Sequence, residues 1–216
     1  MNEMFKFSKK ELIDLAIAFI VLTIAFGISN VGLDLHDFIS ILPIIMIGVG
    51  VGFLLHEVAH KYVAIKYGYW SEFKLWYLGL VIALVTAFLG FVFAAPGEAH
   101  VFADKLSDEI NGRIGVAGPM ANMALAILFL LIAALVYPLS VHSSLFHLIY
   151  LIGTVGFSVN AFLATFNLFP VMTLDGLKVF KWSKKTWLVV FAIAAAMTLL
   201  SITIGAEDMV GLIIGL

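Results

Sequence analysis

The stretch ISILPIIMIGVGVGFLLHEVAHKYVAIK, residues 39–66, decides how this chain folds. It carries no acidic or basic side chain until HEVAH at 56–60. A hydrocarbon core is about 30 Å thick and takes roughly 20 apolar residues to span as a helix. The stretch therefore predicts a membrane helix that carries HEVAH near one end. Positions four apart share a helix face, so the imidazoles of His56 and His60 can converge on one ion. Glu57 lies about 100° further around the helix, beside that ion and not in its ligand set. A hydrolytic zinc site needs this arrangement. Zinc brings a bound water toward a pKa of about 7, and a nearby carboxylate takes its proton as attack begins. Ionisable groups within lipid are costly and usually functional, which weighs against a polar cluster that merely packs helices.

Composition agrees with a membrane setting. Of 216 residues, 63% are hydrophobic and 12% charged, against about 45–50% and 25% in soluble domains. Mean hydropathy is +1.13. These values exclude a disordered chain and argue against a soluble globular one. Lys and Arg total 12 against 14 Asp and Glu, a formal net charge of -2. There is no basic excess to neutralise phosphates, so nucleic acid is not an expected partner. Cysteine is absent, so any metal ligands must be His, Asp or Glu. The expected fold class is an all-α polytopic membrane protein forming a single domain over 1–216, with no soluble domain.

About six membrane-embedded segments are expected. Five are spans, at about 11–29, 39–66, 113–137, 145–167 and 186–204. No small-residue cleavage pattern follows the first, which reads as an anchor and not a removed signal. The sixth, about 75–95, is long enough to cross, but charge placement opposes a single crossing. Cytoplasmic loops carry excess Lys and Arg. Lys6, Lys9 and Lys10 precede the first segment, Lys61, Lys66 and Lys74 close the second, and Lys178, Lys181, Lys184 and Lys185 precede the last. Loops 30–38 and 138–144 have no Lys or Arg. With the N-terminus inside, all these lysines stay inside only if 75–95 is re-entrant or paired with another crossing. The competing reading is a plain sixth span. Tyr67, Tyr69, Trp70, Trp76 and Tyr77 cluster where the second helix ends, as an aromatic belt does.

A catalytic zinc takes three protein ligands and keeps one position for water. The residues offer many third ligands: Glu98, His100, Asp104, Asp108, Glu109, His142, His147, Asp175, Glu207 and Asp208. Most lie in polar loops where solvent explains them. Asp175 differs, because it closes NLFPVMTLDG at 167–176 beside an apolar helix. Pro170 interrupts the helical ladder and Gly176 allows close backbone approach. A broken helix can bring a carboxylate to a buried membrane site.

HEVAH in a membrane helix, GPMAN at 118–122 and NLFPVMTLDG at 167–176 together resemble the signature of the site-2 protease family of intramembrane zinc metalloproteases. The resemblance covers about 39–66 and 110–180, the catalytic core, with 11–29 and 186–204 as peripheral helices. It implies one Zn2+ per chain, held by His56, His60 and Asp175, with Glu57 as general base. Asn167, eight residues before Asp175, matches the family's Asn and is a candidate to hold the substrate carbonyl or the oxyanion. The implied partners are transmembrane protein substrates within the lipid bilayer, cleaved within or near their helices in regulated intramembrane proteolysis. The implied location is the cell membrane, with the active site opening toward the cytoplasm.

Two features depart from the family pattern. The stretch 75–95 looks like an insertion, after which 91–104 is a candidate membrane-associated β-segment with an edge for substrate pairing. Leu177-Lys178 follows Asp175-Gly176, where relatives often have a second Gly and an Arg. Gly115, Gly118, Ala121, Ala124, Gly153, Gly156 and Asn160 read as helix-packing residues, and Asn122 as packing or a substrate contact. His142 and His147 read as interfacial. The expected zinc lies roughly 10–15 Å inside the cytoplasmic face, since HEVAH ends six residues before Lys66. Water must reach it by a polar channel, and a substrate helix must unwind locally. The helices at 11–29 and 186–204 are candidate gates. The alternative function is a membrane metal-handling or transport protein using the same His/Asp cluster.

Overall fold

The computed structural model describes residues 5–215. Its elements are α1 (Lys9–Val31), α2 (Leu35–Lys66), β1 (Trp70–Leu75), α3 (Tyr77–Ala87), β2 (Gly97–Phe102), α4 (Asp108–Ser140), α5 (Ser144–Asn167), α6 (Asp175–Trp182), α7 (Lys184–Thr203) and α8 (Ala206–Ile214). Five of these helices, α1, α2, α4, α5 and α7, are long and apolar enough to cross a bilayer. The protein is an all-α polytopic membrane protein with one small β-hairpin.

The helices begin ahead of their apolar stretches because polar caps start them. Ser8, Asp34, Ser107 and Ser183 accept from the backbone N–H of Glu11, Asp37, Ile110 and Thr186 at 3.1, 2.9, 3.3 and 3.2 Å. Each satisfies a donor that the first helical turn leaves free.

The 75–95 stretch does not cross. The α3 helix has 11 residues, about 16 Å at 1.5 Å per residue, or half a hydrocarbon core. Leu75 and Gly97 are partners in the antiparallel β1–β2 ladder, so the chain leaves and returns at one place. The excursion is re-entrant, with Leu78, Val81, Val85 and Leu89 exposed on its outer face. Strand β2 lies inside the expected 91–104 segment. Its partner β1 was not expected: the aromatic cluster around Trp70 hid a strand in which Ser71 and Phe73 face inward and are buried.

Helix packing follows the small residues. A Cβ at Gly48 would meet the Gly156 Cα at 3.4 Å, so the backbones of α2 and α5 nearly touch. A Cβ at Gly156 or Gly153 would meet Phe129 or Ala133 of α4. Lys61 departs from its reading as a lysine at the membrane face. It is 2% exposed and bonds the equally buried Glu11 carboxylate through both oxygens, at 2.9 and 2.6 Å. The remaining lysines keep the charge bias. The turns at the other end of the bundle, 32–34, 141–143 and 204–205, contain no Lys or Arg.

Candidate metal centre

Three elements bring the centre together. The α2 helix supplies His56 and His60 one turn apart. The segment after α5 breaks at 168–174, where Met172 takes a positive φ of 52°, and α6 then opens with Asp175. The Trp187 indole of α7 holds that break by donating to the Leu168 carbonyl at 2.8 Å, and glycine at 176 permits it, since a side chain there would strike the Leu168 and Phe169 carbonyl oxygens. All three side chains are buried, at 5%, 2% and 5% exposure.

Three atoms converge. His56 Nε2 lies 3.0 Å from His60 Nε2 and 3.1 Å from Asp175 Oδ2, and His60 Nε2 lies 2.9 Å from Asp175 Oδ2. Donors at about 2.0 Å from one tetrahedral ion lie about 3.3 Å apart, close to this triangle.

The far sides of the rings fix what the near sides offer. His60 Nδ1 donates to the Ile114 carbonyl at 2.7 Å, and a carbonyl only accepts. His56 Nδ1 meets Asn122 Oδ1 at 2.6 Å. Asn122 uses its Nδ2 to donate to the Gly52 carbonyl and to Asn160 Oδ1, at 3.1 and 3.0 Å. Asn160 donates its own Nδ2 to the Gly48 and Gly156 carbonyls at 3.0 and 2.8 Å. Backbone carbonyls thus orient Asn160, which orients Asn122, whose Oδ1 accepts from the His56 Nδ1–H. Both Nε2 atoms are left as lone pairs facing a carboxylate oxygen. A single proton can bridge one edge of that triangle but not all three. A divalent cation satisfies all three atoms, and two imidazoles with a carboxylate are a zinc donor set. The residues fit the ion.

Two further observations support the fit. A Cβ at Gly118 would lie 2.5 Å from the Nε2 atoms of both His56 and His60, so glycine keeps the ligand side open. Glu57 Oε2 is buried with no hydrogen-bond partner among the described residues. Two small cavities flank it. One is lined by His56, His60, Asp175, Asn167 and residues 97–99, the other by Phe53, Asn122, Leu163 and Asn167. Asn167 donates one Nδ2 proton to the Leu163 carbonyl at 3.0 Å, and the residue borders both cavities. Lys178 reaches the second oxygen of Asp175 at 3.1 Å.

Of the ten candidate third ligands, Asp175 alone joins the two histidines in a cluster among the described residues. Glu98 borders the cavity, while His100, His142 and His147 are exposed elsewhere. A separate exposed trio, Asp34, His36 and Asp37, sits at the start of α2. Sequence reasoning missed the roles of Asn160 and Gly118, both read as packing, and left Asn122 between packing and substrate contact. The available signal was an Asn inside the apolar stretch of each of two helices, Asn122 in α4 and Asn160 in α5.

Comparison with known proteins gives the chain its kin. A Methanocaldococcus jannaschii protein, MJ0611, provisionally named a zinc metalloprotease, is 43% identical over 187 residues, covering 86% of this chain and 91% of the relative. The chain belongs to this zinc metalloprotease family. YwhC of Bacillus subtilis, also provisionally named a zinc metalloprotease, is 28% identical over 65% of the chain and 69% of its own length. A second Methanocaldococcus jannaschii protein, the zinc metalloprotease MJ0392, is 26% identical over 76% of the chain but 40% of its own length. No family model matches the chain, and no solved structure does.

Proposed function

We propose that this member of the family is an intramembrane zinc metalloprotease of the site-2 protease type. It hydrolyses peptide bonds within or near the transmembrane helices of membrane proteins. His56, His60 and Asp175 hold one zinc ion per chain, Glu57 is the general base, and Asn167 holds the substrate carbonyl as it gains charge. The observation that carries the reading is the convergence of three lone-pair atoms beside the unpartnered Glu57 carboxylate, on a membrane helix.

A zinc ion bound there supplies Lewis acidity and an activated water at neutral pH. The chain's residues do the rest. Glu57 Oε2, free of any hydrogen bond, takes the proton and delivers it to the leaving amine. Asn167 spends one N–H on Leu163 and has a second for the carbonyl oxygen. Asn122 and Ile114 hold the two imidazoles in the ligating tautomer. A carboxylate without a partner serves proton transfer, whereas a metal-transport site has no use for it.

The substrate reaches the site in extended form, since helical peptide bonds are closed by their own hydrogen bonds. Strand β2 supports this: its Gly97–Ala99 stretch borders the cavity, beside Glu57. Helix-breaking residues near the scissile bond should favour cleavage, and equal cleavage of a poly-Leu helix would count against the reading. Of the two candidate gates, α7 is the freer. Only 6% of its most apolar window is buried, against 44% for α1. The lysine bias supports an active site open to the cytoplasm, and the five apolar helices support a multi-pass cell-membrane protein.

The test is cleavage of a tagged single-pass substrate in detergent, with bound zinc measured in the same sample, for the wild type and Glu57→Ala. Cleavage by the wild type alone, with zinc in both, is expected. Zinc without cleavage of any membrane substrate would favour metal handling, and absence of zinc from both would overturn the site.

A further inference from the structure

We propose that the buried Glu11–Lys61 pair closes the outer edge of β1 and thereby positions the hairpin over the metal centre. The proposal starts from strand geometry. Alternate residues of an antiparallel strand aim their N–H and C=O to the same side. The even-numbered side of β1 faces β2, and the same ladder continues with Trp76 N–H bonded to the Pro96 carbonyl at 2.8 Å. The odd-numbered residues Ser71 and Phe73 therefore aim away from β2, where a third strand would pair.

Among the described residues no third strand is there. Lys61 Nζ donates to the Ser71 carbonyl at 2.9 Å, and the Phe73 N–H donates to Glu11 Oε1 at 3.2 Å. The ammonium and carboxylate bond each other and present to β1 one donor and one acceptor, as a neighbouring strand's peptide groups would. Both side chains are 2% exposed, and the ammonium lies 4.5 Å from the ring centroid of Phe7 and 4.8 Å from that of Trp70. The edge is sealed from lipid and water alike.

Two consequences follow. The hairpin can be extended only from β2, the strand that borders the metal cavity. The hairpin's height is also set by α2 itself, because Lys61 directly follows His60. Glu11 and Lys61 touch neither substrate nor the metal ligands, so they are positioning residues. The inference deepens the peptidase reading and rests on it for its kinetic half; the closed edge stands without it.

The experiment uses the full-length protein in detergent and the double variant Glu11→Leu/Lys61→Met, which removes both charges and leaves neither unpaired. Amide exchange of segment 70–76 should rise roughly tenfold. Zinc content should stay at the wild-type level. The KM for a tagged single-pass substrate should rise about fivefold with kcat within about twofold. Unchanged exchange would overturn the closed edge, and faster exchange with unchanged KM would overturn the positioning role. If the double variant does not fold, Lys61→Arg keeps the charge but displaces β1 and should raise KM; an unchanged KM again overturns the proposal. A wild type that cleaves nothing sinks the peptidase reading, while exchange still decides the closed edge.

Discussion

Two polar clusters sit back to back on α2, one residue apart. His60 faces α4 and α6 and joins a group of three lone-pair atoms. Lys61 faces α1 and β1 and joins a carboxylate, a carbonyl and an N–H. The Lys61 cluster carries its own cation, and its ammonium and carboxylate are bonded to each other and to the β1 backbone. The His60 cluster presents only acceptors on its inner side and fits a cation from outside the chain. Neighbouring residues on one helix thus solve the burial of charge in opposite ways. A self-sufficient cluster suits a structural role, and an acceptor-only cluster suits a metal ion.

That contrast breaks hardest at Asp175. Asp175→Ala leaves two imidazoles without the anionic ligand, and on the proposed reading both bound zinc and peptidase activity fall to background. Zinc analysis and the tagged-substrate assay read this in one sample, and full zinc occupancy in the variant would remove Asp175 from the ligand set. Glu57→Gln tests the other half of the site. It keeps shape and leaves the three converging atoms untouched, so zinc should remain while kcat falls by about 10²–10⁴. Loss of zinc in this variant would make Glu57 a ligand and not a base.

Lys61→Met alone strands a buried carboxylate. Removing one partner of a buried ion pair costs about 3–5 kcal/mol, and unfolding in a denaturant series should show it. The folded fraction should still bind zinc, because Lys61 belongs to the self-sufficient cluster. If zinc were lost in step with the mutation and not with unfolding, the two clusters would be one.

Much of this was legible in the sequence, for reasons that can be named. His56, Glu57 and His60 are local: helical spacing alone puts them together. Asp175 was one of ten candidates by chemistry; its place in a broken helix set it apart and the motif resemblance assigned it as ligand, because no spacing rule relates a loop to a helix over a hundred positions away. The re-entrant excursion was legible through lysines that lie outside it. Strand β1 was not, because Trp70–Leu75 alternates poorly and its aromatic neighbours fit a membrane belt equally well. The Glu11–Lys61 pair was invisible: each charge sits near the end of an apolar helix, where a free surface charge is the common case. Gly118 and Asn160 carry two duties at once, since a residue that lets helices approach also decides what sits between them.

The smallest predicted effects lie in the Asn relay behind His56. Asn122→Leu removes the acceptor of the His56 Nδ1 proton, and the proton can then move to Nε2, which takes a lone pair from the ligand triangle. Loss of such an outer partner typically costs 10–100-fold in metal affinity. Asn160→Ala acts one bond further out. Asn122 then loses the acceptor at 3.0 Å but keeps the Gly52 carbonyl at 3.1 Å, so its amide still presents Oδ1 to His56. One neutral hydrogen bond is worth about 0.5–1.5 kcal/mol, which bounds the loss of zinc affinity at roughly tenfold. Competition with a chelator measures both variants and their double. If the relay passes orientation along its length, Asn160→Ala adds little once Asn122 is already Leu. Additive losses would mean that Asn160 serves only the contact between α2 and α5, and that Asn122 alone fixes the ring.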